Sequence, residues 1–513
     1  MASIKSIAAS SLLFAALSTA SVNQVLAPAD GIVLASSPSA KNPLAWAGAN
    51  SPYHAGANVY DISNEVPDGC SVKQAAYVVR HGSRYPDRGA YNGWVAIQQR
   101  VQAAKAAGNL TAKGSLSFIG DWEPVLTNPD LQIAQESMTG YKEGHDLGYQ
   151  LRARYPDFYE DGTKFYAWAN QYASPINKSR VVQTAKAFMQ GYLGEFADTY
   201  GTIVSINSTG SPNAIGNSLG PSDACPAFGM GASGSSFNND TNFAATWTPK
   251  VMKRVNSLVD GIDFTAGDIL QMPYLCGFES QITGRLSPWC GVLTDEELEY
   301  YEYTQDLHYY YGIGPGSTTP TSLLFLPFLD SLMQLLQAGP GQKGKGIDGA
   351  SFDIPKLVMA FMNDNQIAEL TAGMGIFDTD AQPKLPIDKL LKKRIYNASN
   401  FVSMRGTVIF EVLNCTTKSP SHPHGKKPTT TSTDDYIRLM LNDAVYTLPQ
   451  CNDGPGGSCL LSDYADFISK RNAAAGNFID YCHVTQAGHP KTVGGASFFS
   501  DLTLDFLEFV APH

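Results

Sequence analysis

Two short apolar runs break off into polar residues in the same way, and they limit the fold more than any other feature of the chain. Residues 74–79 (QAAYVV) end in Arg80-His81-Gly82, and residues 356–362 (KLVMAFM) end in Asn363-Asp364-Asn365. Runs of this length and character read as buried strands running into loops. Helical spacing occupies the stretches around them: residues 94–107, residues 132–155 with Gly144 and Gly148 inside, residues 181–196 just after Arg180, and residues 366–374. Residues 292–338 are also helical in pattern, interrupted by Gly312-Ile313-Gly314-Pro315-Gly316. Strands alternating with helices predict an α/β sheet. In open α/β sheets ligands bind at the carboxyl ends of strands, so residues 80–84 and 363–364 are expected to meet although far apart in sequence.

The remaining segments read as connections. Residues 28–60, rich in Ala, Ser, Pro and Asn, predict a loose mature N-terminus, and residues 206–245, full of Ser, Asn, Gly and Pro, a surface connection. Residues 407–413 and 436–441 are strand candidates joined by a polar loop at 417–434. No tandem repeat is evident.

The N-terminus reads as an export signal. Lys5 precedes an apolar run at residues 7–20, with small residues allowing cleavage after Ala20 or Ala27. The run is shorter than the ~20 residues a spanning helix needs. Eight cysteines, an even number with no CxxC pair, agree with an oxidising compartment and leave the disulfide pairing open. Asn-x-Ser/Thr sequons at Asn109, Asn177, Asn207, Asn239, Asn397 and Asn414 fit a secreted glycoprotein. Hydrophobic residues make up 43% and charged ones 16%, a balance that folds rather than stays disordered. A formal charge of −11 argues against a nucleic-acid partner. It leaves a small anion open, because a local arginine cluster overrides the global field.

Such a cluster follows the first strand: Arg80, His81 and Arg84 within RHGSRYP. Arginine offers a planar fork of donors and stays charged at any working pH, which suits phosphate. Two arginines flanking one imidazole lower its pKa and leave a nitrogen unprotonated and nucleophilic in mild acid. Gly82 lets the backbone approach the anion. By contrast, His145-Asp146 lies mid-helix in GYKEGHDLGYQL and reads as structural or exposed, and His422 and His424 sit in a polar SHPHGKK loop as solvated side chains. No ligand cluster for a metal or cofactor is evident.

RHGSRYP resembles the signature of the histidine acid phosphatases, a branch of the histidine phosphatase superfamily that includes fungal phytases. Further segments are similar to the fungal members: SRVVQTAKAF at 179–188, CGFESQI at 276–282, residues 287–316, FEVLNC at 410–415 and IRLMLNDAVYTLPQC at 437–451. The resemblance implies a phosphoglycerate mutase-like fold: a central, mostly parallel sheet flanked by helices, with an inserted smaller α-helical domain. The unit would run over residues 45–513, with an α/β core at roughly 45–100, 130–210 and 350–513 and helical insertions at roughly 100–130 and 211–349. It implies His81 as nucleophile, forming a phosphohistidine, with Arg80, Arg84 and Arg180 binding phosphate and Asp364 protonating the leaving oxygen. The family carries a His-Asp pair where this chain has Asn363-Asp364, so an uncharged amide replaces a charged donor to the phosphate. The implied disulfides are Cys70 with Cys415, Cys225 with Cys482, Cys276 with Cys290 and Cys451 with Cys459.

The function expected on this basis is a secreted acid phosphatase acting on small phosphate monoesters, with no cofactor and no membrane partner. Phytase activity is the close alternative. A phosphate-ester binding protein with weakened catalysis is the alternative from another class, motivated by Asn363.

Overall fold

The structure, a computed structural model, describes residues 42–171, 179–228, 239–317, 321–419 and 430–513. Nine strands among them form one sheet. They are β1 (Cys70–Arg80), β2 (Phe165–Asn170), β3 (Gly201–Ile206), β4 (Leu357–Met362), β5 (Thr407–Ser419), β6 (Thr430–Leu441), β7 (Ala444–Tyr446), β8 (Cys459–Leu460) and β9 (Leu507–Val510). Across the sheet they lie in the order β7-β6-β5-β1-β4-β2-β3-β9, with β8 pairing to β6. The sheet is mixed. Its central strands β1, β4, β2 and β3 are parallel, as the resemblance implies. The strands on either side of them are antiparallel, a pairing that a short hairpin can make without a crossover.

The central strands are buried on both faces at residues 75–79 and 357–362, which is why those stretches are apolar rather than alternating. On one face Ala75, Tyr77 and Val79 of β1 and Leu357, Met359 and Phe361 of β4 pack with Leu147, Leu151 and Phe188. These last belong to helices α2 (Met138–Arg154) and α3 (Arg180–Leu193). The other face carries Ala76, Val78, Val358 and Ala360 and packs into a larger core. That core is shared with α1 (Arg88–Ala106), α4 (Asn239–Asn256), α5 (Ala266–Thr283), α6 (Asp295–Gly312), α7 (Leu326–Ala338), α8 (Asp364–Met374) and α9 (Leu461–Ala475). Helices α4–α7 make up the helical region. Among the described residues no helix is long and apolar enough to cross a membrane.

Gly148 in α2 has a packing reason. A Cβ on Gly148 would lie 2.3 Å from the Phe188 carbonyl oxygen, and one on Gly191 1.9 Å from that of His145. The backbones of α2 and α3 therefore touch, and this brings the N-termini of both helices to the end of β1.

Two connections differ from the reading above. From residue 42 onward the N-terminal segment is not loose: Leu44, Ala47, Ala49, Ser51 and Tyr53 are buried. Its backbone is used as well, with Met404 N–H donating to the Ser51 carbonyl. Nor is 206–245 a surface connection throughout. Ala214, Ile215 and Leu219 are buried, and the segment is pinned by Asn217 Nδ2 donating to Ser497 Oγ at 2.7 Å and by a disulfide at Cys225. Small residues that read as loop-forming are here what lets a chain without regular structure thread the interior. The strands β5 and β6 also extend into the 417–434 loop from both sides.

The disulfides are Cys70–Cys415, Cys225–Cys482, Cys276–Cys290 and Cys451–Cys459, so all eight cysteines are paired. The first ties the start of β1 to β5, where the two residues are also register partners. Of the sequons, Asn109 is exposed, and Asn207, Asn239, Asn397 and Asn414 are half-buried. Asn177, the export signal, His422 and His424 lie outside the described residues.

Candidate active site

The carboxyl ends of β1 and β4 are adjacent, and the ladder between them continues one residue further, His81 N–H donating to the Met362 carbonyl at 2.9 Å. This puts Arg80-His81-Gly82 beside Asn363-Asp364. Arg180 opens α3, and Arg84 follows the β1 loop. The structure thus brings together all the residues expected to act, from three separated segments. His145 and Asp146 are elsewhere, on α2, with the His145 side chain largely exposed and Asp146 bonded to Lys142.

His81 is fully buried. Its Nδ1 lies 2.8 Å from the Gly82 carbonyl oxygen. A carbonyl can only accept, so Nδ1 carries the proton. Nε2 is buried and has no hydrogen-bond partner. Burial holds the imidazole well below its usual pKa, and the charges of Arg180, Arg80 and Arg84 lower it further, against the Gly82 carbonyl. The ring is neutral with a bare Nε2, the form that attacks an electrophile.

The two peptides after the imidazole are clamped. His81's carbonyl accepts from Arg405 N–H at 2.8 Å, and Gly82 N–H donates to Thr184 Oγ1 at 2.8 Å. Ser83 N–H and Oγ–H donate to the buried carboxylate of Glu143, at 2.6 and 2.8 Å. Arg405 takes up φ 58°, left-handed for a non-glycine residue, which places its N–H against His81.

Arg80 is buried; its Nη1 donates to the Ala49 carbonyl at 2.7 Å and to that of Val402. Its Nη2 is 3.8 Å from Asp364 Oδ1. Arg84 donates to the Tyr85 carbonyl at 2.9 Å, lies 3.9 Å from Asp87 and rests its guanidinium 5.2 Å from the Phe278 ring centroid. Asp364 Oδ2 accepts from the Tyr309 hydroxyl. Burial by itself would raise the Asp364 carboxyl, but the Arg80 charge, the Tyr309 hydroxyl and the Arg84 and Arg180 charges outweigh it and bring it down to about 2. Asn363 caps α8, is buried, and its Nδ2 has no hydrogen-bond partner.

Above these groups opens a cleft of about 400 Å³, walled by α4, α5 and α6 through Asp240, Gln271, Tyr274, Tyr301, His308 and Tyr309. Three converging arginines, a bare imidazole nitrogen and a carboxyl beside them are arranged to bind a compact anion, attack it and exchange a proton. Among the described residues no group of three or more His, Cys, Asp or Glu side chains is placed to hold a metal ion.

Several participants were not foreseen from sequence. Tyr309 lies in the tyrosine-rich stretch 300–311, where its neighbours mask it. Thr184 follows Arg180 by one helical turn, and that spacing was the available signal. Ala49, Glu136, Glu143 and Arg405 reach the site through the fold and carry no local mark.

The chain's similarities agree with this geometry. Residues 71–442 match the family described as histidine phosphatase superfamily (branch 2). An acid phosphatase of Komagataella pastoris is 29% identical over 471 residues, covering 90% of each chain. A phytase of Candida albicans is 26% identical, covering 86% of this chain and 87% of that one. Among solved structures, the phytase from D. castellii superposes with a TM-score of 0.72 at 22% identity, over 89% of this chain and 90% of that one. With the match spanning both strand ends of the site and most of the chain, this protein belongs to branch 2 of the histidine phosphatase superfamily.

Proposed function

We propose that His81 is the nucleophile of a phosphate monoester hydrolase and that Asp364 is its proton donor. The protein is an acid phosphatase by family and relatives; the roles of individual residues are the proposal. The observation that carries it is the bare, buried Nε2 of His81 among three arginines. Arg80, Arg84 and Arg180 hold the phosphate. His81 Nε2 attacks phosphorus in line, the P–O ester bond breaks, and Asp364 gives its proton to the departing oxygen. Water then attacks the phosphohistidine with the Asp364 carboxylate as base, releasing inorganic phosphate and His81.

The low pKa of Asp364 raises a question of supply, because a carboxyl at about 2 is ionised in the free enzyme. The proton arrives with the substrate. A phosphate monoester loses its second proton near pH ~6, and below that the bound monoanion shares its proton with Asp364. The sign follows: kcat/KM falls about tenfold per pH unit above ~6, as the substrate monoanion disappears. On the acid side it falls only once His81 itself protonates, well below its usual range. Initial rates on an aryl phosphate from pH 3 to 8 measure this, and activity that rises toward pH 8 would contradict it.

Substrate breadth follows from the cleft. Apart from Arg80 and Arg84, the only potential cation among its described lining residues is His308, which is 3.0 Å from Asp240, and Asp87 and Asp364 add two further carboxylates. A polyanion such as phytate gains little there, so simple monoesters are the preferred class and phytate the second.

Asn363 is the point where this chain departs from the family's His-Asp pair. An uncharged donor contributes less than a charged one by about 1–1.5 kcal/mol. Asn363→His is therefore expected to raise kcat by about tenfold, read by steady-state kinetics. An unchanged or lower kcat would show that the amide is adapted to this pocket.

Export belongs to the same proposal: a signal cleaved after Ala20 or Ala27, then a glycosylated unit over 45–513 whose larger helical insertion holds α4–α7. Four disulfides support an oxidising destination.

A further inference from the structure

Glu136 is buried, lies directly before α2 and has no part in the chemistry above. Its Oε1 is 2.7 Å from Thr184 Oγ1, and its Oε2 has no hydrogen-bond partner. A Cβ on Gly82 would lie 2.6 Å from Glu136 Oε1, so the carboxyl sits against the residue that follows the nucleophile. Thr184 Oγ1 has two other partners, the Gly82 N–H at 2.8 Å and the Arg180 carbonyl at 2.9 Å.

We propose that Glu136 is a positioning residue for the nucleophile: through Thr184 it holds the 81–82 peptide and ties it to the first turn of the helix that presents Arg180. The proposal rests on His81 being the nucleophile. A threonine hydroxyl has one hydrogen and two lone pairs. The Gly82 N–H takes one lone pair, and the Arg180 carbonyl can only accept, so it takes the hydrogen. The remaining lone pair faces Glu136, and that contact is satisfied only if Glu136 is a carboxylic acid donating to Thr184. Glu136's surroundings agree. Burial pushes its carboxyl well above the usual range, and the nearby Glu143 adds to this, against the Thr184 contact. With all three positions of Thr184 taken, its hydroxyl cannot rotate, and the Gly82 N–H meets a fixed acceptor. Arg405 holds the other side of the same peptide, and Glu143 holds the next one. The His81 ring leans on the Gly82 carbonyl, so its direction depends on these clamps. Because Arg180 hangs from the same hydroxyl, nucleophile and anion ligand are set relative to each other.

The test uses rapid-quench measurement of phosphohistidine formation on the full chain, with KM and the thermal midpoint measured alongside. Glu136→Gln keeps a donor toward Thr184, and Thr184→Ser keeps the hydroxyl; both should form phosphohistidine within about threefold of the wild-type rate. Glu136→Leu and Thr184→Val remove the relay. A displaced nucleophile costs up to about 100-fold, so both should slow phosphohistidine formation by about 10- to 100-fold with KM within about threefold. If Glu136→Leu does not fold, the near-isosteric Thr184→Val carries the test. Wild-type phosphorylation speed in Thr184→Val would overturn the proposal, as would a Glu136→Gln loss as large as that of Glu136→Leu. Absence of phosphohistidine from the wild-type chain would instead overturn the His81 reading, and this proposal with it.

Discussion

Replacing His81 by alanine is expected to lower kcat by about 10⁴-fold or more, because it removes the group on which the two-step route depends. Anion binding should survive. In the proposed mechanism Arg80, Arg84 and Arg180 hold the phosphate, and none of them hydrogen-bonds to the imidazole in the structure. Inorganic phosphate should therefore inhibit or bind the alanine variant within a few-fold of its affinity for the wild type. Retention of more than about one per cent of kcat would mean that water attacks directly, and that the imidazole serves some other purpose.

Asp364→Asn should give the second largest loss, about 10²- to 10⁴-fold, the range for removing a general acid. Its size should depend on the leaving group. An alkyl alcohol needs the proton as the P–O bond breaks, so alkyl phosphates should show the full loss. A nitrophenolate leaves without help, so its ester should lose much less. The charge change has its own sign. Asp364 lies 3.8 Å from Arg80 and competes with substrate for that guanidinium. Losing the carboxylate frees positive charge, so KM should fall even as kcat falls. Steady-state kinetics on one alkyl and one nitrophenyl phosphate check both points. Equal losses on the two esters would remove Asp364 from the proton-donor role.

What could be read from sequence was what is local. Residues 75–79 and 357–362 are apolar at every position because β1 and β4 are covered on both faces there, and that pattern does not depend on the rest of the chain. Arg80, His81 and Arg84 lie within five residues, so their chemistry was legible as a motif. Arg180 and Asp364 needed the family resemblance to connect them, because their distance from His81 is set by strand order. The clamps were not legible. Glu136 and Glu143 come from α2 and the residues before it and Arg405 from a loop, all far from His81 in sequence, and each is an ordinary polar residue until the fold buries it. The N-terminal segment and residues 214–222 misled for the opposite reason. Small and Gly-rich stretches usually mark the surface, but here their lack of bulk lets them pass close to packed side chains, as at Gly216 against Val493. Ala49, whose carbonyl anchors Arg80, belongs to such a stretch.

The most direct measurement of the central claim is to incubate the enzyme with a ³²P-labelled monoester, quench it in alkaline denaturant, where phosphohistidine survives, and map the label by peptide mass spectrometry. The account predicts phosphate on His81, formed at least as fast as turnover and absent from His81→Ala. Turnover with no labelled histidine, or label on Ser83, would contradict it.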